Sequence, residues 1–213
     1  MTAPALPGWK RSIDIAFSLA ALPVLALAAL FIATVMALAA PGPVLYRQER
    51  VGYRGRRILC YRFRTMRVAG DRRGDDSADA ETDARTGARL IPGGWLMRAL
   101  HLDHLPQILN VLEGDMSAVG PRPCLPRGFT RLFPWQRARC NAMPGLTGLW
   151  QVSGRTSGNV DEMIRLDLQY IEKQSIGMDL KIIARTGPAV FRRLREADDN
   201  RRALQKSADS AQA

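Results

Sequence analysis

The apolar positions of this chain form one long stretch near its beginning and several short periodic stretches after it. The long stretch, 15–40, has no ionisable side chain and is rich in Ala, Leu, Val and Ile. A straight helix of roughly 26 residues reaches about 39 Å, which is enough to cross a hydrocarbon core of about 30 Å. A cleaved signal peptide is disfavoured because its apolar region has only about 7 to 15 residues. The pattern therefore predicts a membrane helix.

The residues around and inside this stretch leave two topologies open. Lys10 and Arg11 precede it and several arginines follow within 47–57, so a spanning helix would leave one basic flank outside, against the positive-inside rule. Pro23 removes a helix hydrogen bond and can bend the segment back to the side it entered. Proline is nevertheless tolerated in spanning helices. From the residues alone, a kinked spanning helix is favoured over a re-entrant one.

The shorter periodic stretches predict a small α+β domain. Alternating or short apolar runs predict strands, and apolar positions spaced by three and four predict helices. A helix that begins near Asp103 follows from Leu105, Ile108, Leu109 and Leu112, with Pro106 in its first turn. The predicted strands are 44–46, 57–63, 118–119 and 149–152, and the other predicted helices, both amphipathic, are 161–173 and 179–195.

Polar segments set the boundaries of the predicted domains. The range 69–89 has no large apolar residue and is predicted to be a mobile loop, and the Ala-rich polar tail 196–213 is predicted to be disordered. We therefore divide the chain into an anchor, 1–43, and a domain, 44–195. With 213 residues the chain is long enough for one real core.

Charge and cysteine content narrow the choice of partners. The formal charge is +11, carried mostly by Arg, which predicts anionic partners such as phosphates, nucleotides or acidic lipids. The three cysteines are irregularly spaced and predict a reducing compartment with no disulfide framework. No nucleic-acid partner is expected, since no binding module is recognisable and the arginines gather at Gly and Pro turns.

The stretch 98–123 carries the candidate chemistry. Asp103, at the predicted helix start, reads as an N-cap on spacing alone, but a helix N-terminus also stabilises an anionic, nucleophilic carboxylate and attracts phosphate. Two prolines flank Arg122 in Gly120-Pro121-Arg122-Pro123, which holds this arginine in a stiff loop suited to gripping a phosphate. Arg62 and Arg64 fall on one face of a strand, where a solvated sheet face is the simpler interpretation.

Five sequence motifs, taken in their order along the chain, resemble those of a known family. LDHLPQILNVLEGDMSAVGPRP, together with LYRQERVG, YRFRTM, PGLTGLWQVSGR and LDLQYIEKQSIGMDLKII, is similar to the blocks of the bacterial sugar transferases, the small monotopic polyprenyl-phosphate hexose-1-phosphate transferases. The resemblance covers most of the chain from Lys10 to about Arg193. It implies a re-entrant helix broken near Pro23 that enters one leaflet of the bacterial inner membrane. It also implies a mainly helical catalytic domain with interfacial amphipathic helices on the cytoplasmic face.

The resemblance also implies a reaction. Sugar 1-phosphate passes from a nucleoside diphosphate sugar, a uridine one, to undecaprenyl phosphate through a covalent intermediate on Asp103. Such a step initiates exopolysaccharide or other surface glycan synthesis. Mg²⁺, bound at Asp103, is the implied cofactor. The implied phosphate-binding residues are Arg98, Arg122, Arg62, Arg64 and Arg155, and the range 144–155 is a wall of the nucleotide-sugar site.

The chain departs from the family pattern beside the nucleophile. The family has an Asp-Glu pair where this chain has Asp103-His104, and His101 replaces a small hydroxyl residue. His104 is a candidate catalytic residue: a general acid or base, a metal ligand, or the mark of a weakened enzyme. The alternative function is therefore a catalytically impaired membrane partner or regulator of the same fold. The sugar, the glycan and whether the chain forms a homodimer stay open.

Overall fold

The computed structural model describes residues 7–39, 42–66, 91, 93–154 and 160–212. The predicted mobile loop, 69–89, and Arg155 lie outside these residues. Across the described ranges the chain is mainly helical and contains two small two-stranded sheets. The observed architecture is thus α+β, as the sequence predicted.

The order of elements places short strands between helices. In the described part of the chain, the helices are α1 (Gly8–Ala39), α2 (Gly94–Ala99), α3 (Gln107–Glu113), α4 (Pro126–Thr130), α5 (Pro134–Arg137), α6 (Leu149–Val152), α7 (Val160–Glu172) and α8 (Ile176–Gln212), and the strands are β1 (Leu45–Val51), β2 (Arg57–Phe63), β3 (Ser117–Val119) and β4 (Gly145–Thr147). Short 3-10 turns add Tyr53–Gly55, Leu102–His104 and Ala138–Asn141.

Helix α1 has one exposed apolar face and one buried face. Leu27, Leu30 and Phe31 are each about 70 % exposed, and by length and composition the range Gly8–Met36 could cross a membrane. The helix is assigned without interruption through Pro23, so the break predicted there is not found. The buried positions recur at multiples of the helical repeat along its length: Lys10, Asp14, Ser18, Leu25, Ile32 and Met36.

Both ends of α1 pack against the same domain. Near its beginning, Lys10 Nζ donates to the Val119 carbonyl at 3.0 Å and to Tyr170 Oη at 2.9 Å, and pairs with Asp179 Oδ2 at 2.7 Å. Near its end, Ile32 and Met36 join the buried cluster that contains Phe63, Met97 and Ile108 from β2, α2 and α3. The predicted boundary at 43/44 therefore divides residues that share one core.

The first sheet is a β-hairpin, and its buried, inner face is turned towards the candidate site. Strands β1 and β2 pair antiparallel from Leu45 opposite Phe63 to Val51 opposite Arg57, which confirms the two predicted strands and extends the first of them. Every second residue of each strand lies on this face, and all of these residues are wholly or partly buried: Tyr46, Gln48 and Arg50 on β1, and Ile58, Cys60 and Arg62 on β2.

The second sheet brings two backbones very close together. Strands β3 and β4 are parallel, and a Cβ on Gly145 would overlap the backbone nitrogen of Gly120, just after β3. Only glycine fits such an approach. The glycines of this segment thus serve contact between two backbones. The predicted strand at 118–119 is confirmed within β3.

Three local predictions are wrong. Helix α3 begins at Gln107, not near Asp103, because His101 adopts φ 55° and ends α2, and a separate 3-10 turn follows. The range Leu149–Val152 is a single helical turn rather than a strand. Four residues carry too little periodicity to separate strand from helix in the sequence. Helix α8 continues through the predicted disordered tail to Gln212, because that tail has strong helix formers and neither Gly nor Pro.

Candidate active site

Asp103 lies at the centre of the candidate site. It is the middle residue of the 3-10 turn Leu102–His104 and is only 4 % exposed. The Arg62 guanidinium, from strand β2, donates from Nη2 to Asp103 Oδ2 at 2.8 Å. Asp103 is therefore held by an arginine from another element rather than serving as the N-cap of α3, whose cap position is Pro106.

The same guanidinium nitrogen also contacts His104. Arg62 Nη2 lies 2.8 Å from His104 Nε2, and the other ring nitrogen, Nδ1, lies 3.0 Å from the side-chain amide of Gln107. Because a guanidinium only donates, Nε2 accepts and the single N–H of the neutral ring is on Nδ1. The amide of Gln107 satisfies that N–H when its oxygen faces the ring. Both nitrogens of His104 are thus engaged.

Burial and the surrounding cations set the charge states of these two side chains. Burial raises the pKa of the Asp103 carboxyl above its usual value, against the attraction of Arg62, Arg98 and Arg122 for the charged form. Burial and the same positive field hold the pKa of His104 well below its usual value. His104 is therefore neutral and acts as an acceptor that orients Arg62. Two of the three predicted roles of His104, a base tuned to neutral pH and a metal ligand, are not favoured by this geometry, because both ring nitrogens already have partners.

Residues that the sequence reasoning missed complete the support of Arg62. Gln48 Oε1 accepts from Arg62 Nη1 at 2.9 Å and from Arg50 Nη2 at 2.7 Å. Gln48, Arg50 and Arg62 share the inner face of the hairpin. The alternation of positions along β1 predicts that Gln48 and Arg50 share a face. Only the pairing of the two strands shows that Arg62 lies on the same face.

A cavity of about 790 Å³ opens in front of Asp103. Arg98 lines it and donates from Nε to Thr65 Oγ1 at 2.9 Å. Trp150, from the predicted nucleotide-sugar wall, lines it as well. Five of the predicted site residues meet at this cavity: Arg62, Arg98, Asp103, His104 and Arg122.

Of the two other predicted phosphate-binding arginines, Arg64 is the one that the structure describes. Arg64 is buried as Arg62 is, so the expectation of a solvated strand face is wrong for both. Arg64 follows the end of β2, its guanidinium lies beside Gly42, and it is not among the residues that line the cavity. The structure does not bring Arg64 to this cavity, and its role in phosphate binding stays a prediction. Arg155 lies outside the described residues.

The loop that carries Arg122 is anchored from behind. Arg139 Nη2 donates to the Arg122 carbonyl at 2.7 Å, and Arg139 forms a buried ion pair of 2.6 Å with Asp167 of α7. The backbone N–H of Val51 donates to the Cys124 carbonyl at 2.8 Å. Two prolines and these bonds fix the backbone of Arg122, as the sequence predicted from the prolines alone.

His101 occupies an unusual position beside the site. Its φ of 55° lies in the left-handed region, which costs free energy for a residue other than glycine. The turn brings its ring into a stack on His104, with ring centroids 5.7 Å apart and planes at 29°. The two histidines therefore share one wall, although they do not share a helix.

Comparison with known proteins identifies the family of this chain. Residues 6–193 match the family model described as bacterial sugar transferase. This chain belongs to the bacterial sugar transferase family. The sequence-based prediction of the family, and with it of an enzyme class, is confirmed.

Several relatives are similar over most of this chain. The exopolysaccharide production protein ExoY of Rhizobium meliloti is 34 % identical over 191 residues, which cover 85 % of this chain and 84 % of ExoY. The UDP-glucose:undecaprenyl-phosphate glucose-1-phosphate transferase of Caulobacter vibrioides is 41 % identical over 194 residues, covering 85 % of this chain and 69 % of that protein. The undecaprenyl-phosphate galactose phosphotransferase of Salmonella typhimurium is 36 % identical over 162 residues, covering 71 % of this chain and 34 % of that protein. The chain thus spans most of some relatives and about a third of others.

The residues at the cavity fit a magnesium ion only in part. No cluster of three or more metal-ligating side chains occurs among the residues that the structure describes. Mg²⁺ commonly binds through one or two carboxylates and takes its other oxygens from water and substrate phosphates. Asp103 supplies one carboxylate at the cavity, so these residues fit an ion that arrives with a diphosphate.

Proposed function

We propose that this chain transfers a sugar 1-phosphate from a nucleoside diphosphate sugar, a uridine one, to undecaprenyl phosphate. The supporting observation is the buried carboxylate of Asp103, which three arginines surround at the wall of a cavity of about 790 Å³. A desolvated carboxylate is a better nucleophile, and fixed guanidinium groups stabilise the negative charge on phosphate oxygens.

The first step forms a covalent intermediate on the protein. An oxygen of Asp103 attacks the phosphorus next to the sugar. The bond from that phosphorus to the bridging oxygen breaks, and the nucleoside monophosphate leaves with the electron pair. Arg98 and Arg122, which line the cavity, neutralise the phosphate oxygens, while Arg62 orients the attacking carboxylate.

The second step returns the carboxylate. A phosphate oxygen of the lipid attacks the same phosphorus, the bond to Asp103 breaks, and a lipid diphosphate sugar leaves. In the first step, Asp103 and the donor diphosphate would hold a Mg²⁺ ion, which would supply further charge neutralisation. In this arrangement His104 acts as a positioning residue, because its contacts are to Arg62 and Gln107.

The position of α1 supports a site at a membrane surface, and the inner membrane with the domain on its cytoplasmic face is part of the proposal. Both ends of α1 pack on one domain, while its other face is apolar and exposed. A helix that bends at Pro23 without a break, and so enters and leaves on the same side, would satisfy both observations. The re-entrant topology and the start of exopolysaccharide synthesis are parts of this proposal.

The test is a turnover assay with purified protein in nanodiscs. The protein is incubated with Mg²⁺, undecaprenyl phosphate and a panel of uridine diphosphate sugars, and nucleoside monophosphate release is measured beside Asp103→Asn. We expect lipid-dependent release with one donor, loss of release in Asp103→Asn, and a sugar-phosphate mass on Asp103 when lipid is omitted. No release with any donor, together with a gain of activity in His104→Glu, would instead support an impaired partner protein.

A further inference from the structure

A second cavity, of about 350 Å³, adjoins the first from the side of α1. Most of its lining is hydrocarbon. Phe17 and Ala21 of α1 form one side, and Ile183 and Val190 of α8 form another. Leu105 and Ile108, together with Leu100, complete the apolar wall near the active-site turn. A sugar or a nucleotide base would leave its polar groups unpaired here, so this cavity suits an apolar ligand.

The two cavities meet at one charged wall. Arg50, His101, His104 and Arg122 line both of them, and Pro123 does as well. Behind this wall, His104 Nε2 lies 3.6 Å from Asp103 Oδ2. An anionic group bound at Arg50 and Arg122 would thus stand next to the nucleophile, with the apolar cavity directly beside it.

We infer that the apolar cavity holds the first isoprene units of the lipid phosphate acceptor, with its phosphate at the wall of Arg50, His101, His104 and Arg122. This inference rests on the proposed function, because it assigns the acceptor site of that reaction. The hydrocarbon chain of a polyprenyl phosphate matches the apolar cavity, and its phosphomonoester matches the charged wall. The helix that walls the cavity, α1, presents its other face as exposed hydrocarbon, so the remainder of the chain can continue into lipid.

Gly187 offers a way to fill this cavity. It lines the cavity on α8, and a Cβ added there would meet no atom within 4 Å. Gly177 lies on the same helix with the same open surroundings, and it lines neither cavity. Gly187→Phe and Gly177→Phe are therefore matched variants of equal chemistry, of which only the first places a ring at the acceptor cavity.

The kinetic experiment compares these two variants with the parent chain. We expect Gly187→Phe to raise the KM for undecaprenyl phosphate at least about tenfold, since each CH₂ kept out of an apolar site lowers affinity about fourfold. The KM for the nucleotide sugar should change less than about twofold, because that substrate lies in the other cavity. Gly177→Phe should match the parent in both. Equal lipid KM values in the two variants would overturn the inference and leave the proposed function standing.

A binding experiment tests the site without turnover. The parent protein in nanodiscs is photolabelled with a benzophenone-bearing polyprenyl phosphate, and the labelled peptides are mapped by mass spectrometry. We expect labels within 183–190 of α8 that undecaprenyl phosphate removes, while undecaprenol and phosphatidic acid remove them far less. Labels elsewhere, or equal competition by phosphatidic acid, would show a different or a general lipid site. If labelling succeeds but no donor is turned over, the proposed reaction fails while the lipid site stands.

Discussion

Lys10 Nζ and Asp179 Oδ2 lie 2.7 Å apart, although the two residues are 169 positions apart in the sequence. Both side chains are 1 % exposed. The pair fastens the beginning of α1 to the first turn of α8, and Tyr170 donates to Asp179 Oδ1 at 2.8 Å in the same network. A buried pair of this kind specifies where two helices meet.

Lys10→Met is expected to destabilise the protein strongly. Removal of one partner leaves the carboxylate of Asp179 buried without its counter-charge, which costs about 3 to 5 kcal/mol. Thermal unfolding in detergent measures the effect, and Lys173→Met, at an exposed position, is the control. The double variant Lys10→Met, Asp179→Leu should recover much of the loss. An unchanged midpoint for Lys10→Met would contradict the role of the pair.

Arg62→Lys is expected to lower turnover about a hundredfold or more, the usual cost of losing one oriented charged donor. Lysine keeps the charge but cannot reach Gln48, Asp103 and His104 together. Steady-state release of nucleoside monophosphate is the measurement. Arg57→Lys on the same strand is the matched control, since Arg57 is exposed and pairs only with Glu49 among the ion pairs described. Equal rates for the two variants would remove Arg62 from the mechanism.

Asp167→Asn is expected to make the stability of the protein less dependent on pH between pH 4 and pH 6. Burial raises the pKa of Asp167 to about 6 from 3.8, so the folded state holds its proton more tightly than the unfolded state. The contribution of Asp167 to stability is therefore full below pH 3.8 and falls as the pH rises to 6, by at most about 3 kcal/mol. The loss of the ion pair with Arg139 sets an offset between the two proteins, and that offset should shift in favour of the variant as the pH rises from 4 to 7. An offset that stays the same over this range in thermal unfolding would contradict the raised pKa of Asp167.

Cys124 is expected to be the first cysteine to react with an alkylating agent. It is partly exposed at the larger cavity, and a hydrogen bond from the Cys140 thiol lowers the pKa of Cys124 to about 7. Burial raises the pKa of Cys60 to about 11. Peptide mapping after brief treatment with iodoacetamide between pH 6 and 9 should show Cys124 labelled with a midpoint near pH 7. Cys124→Ser should abolish the fast label, and equally fast labelling of Cys60 would refute this assignment.

The sequence predicted the parts of the site better than their arrangement. The pattern around Asp103 and the prolines beside Arg122 identified a carboxylate and a cation that do line one cavity. It did not connect Asp103 with Arg62, 41 positions earlier, because that contact depends on how the hairpin packs against the active-site turn. The burial of Arg62 was missed for the same reason. Alternation along a strand shows that two residues share a face, but not whether the face is covered.

Local backbone geometry also limited the prediction of the fold. Periodicity located the apolar face of α3 correctly, yet the helix begins at Gln107 because His101 enters the left-handed region at φ 55°. A histidine gives no strong signal for that conformation, whereas a glycine would. The residues of the range Leu149–Val152 favour a strand, and the structure has one helical turn there. A range of four residues is too short for hydrophobic periodicity to distinguish a strand from a helix.

The buried face of α1, which includes the polar residues Lys10, Asp14 and Ser18, makes this helix part of the folded domain. Deletion of this helix would uncover Tyr170 and Asp179 at one end and Phe63 and Ile108 at the other. A shortened, water-soluble form of the enzyme would therefore lack part of its own interior. Under the proposed function, the packing of α1 would hold the protein at the membrane through its fold, in addition to the solubility of its lipid substrate.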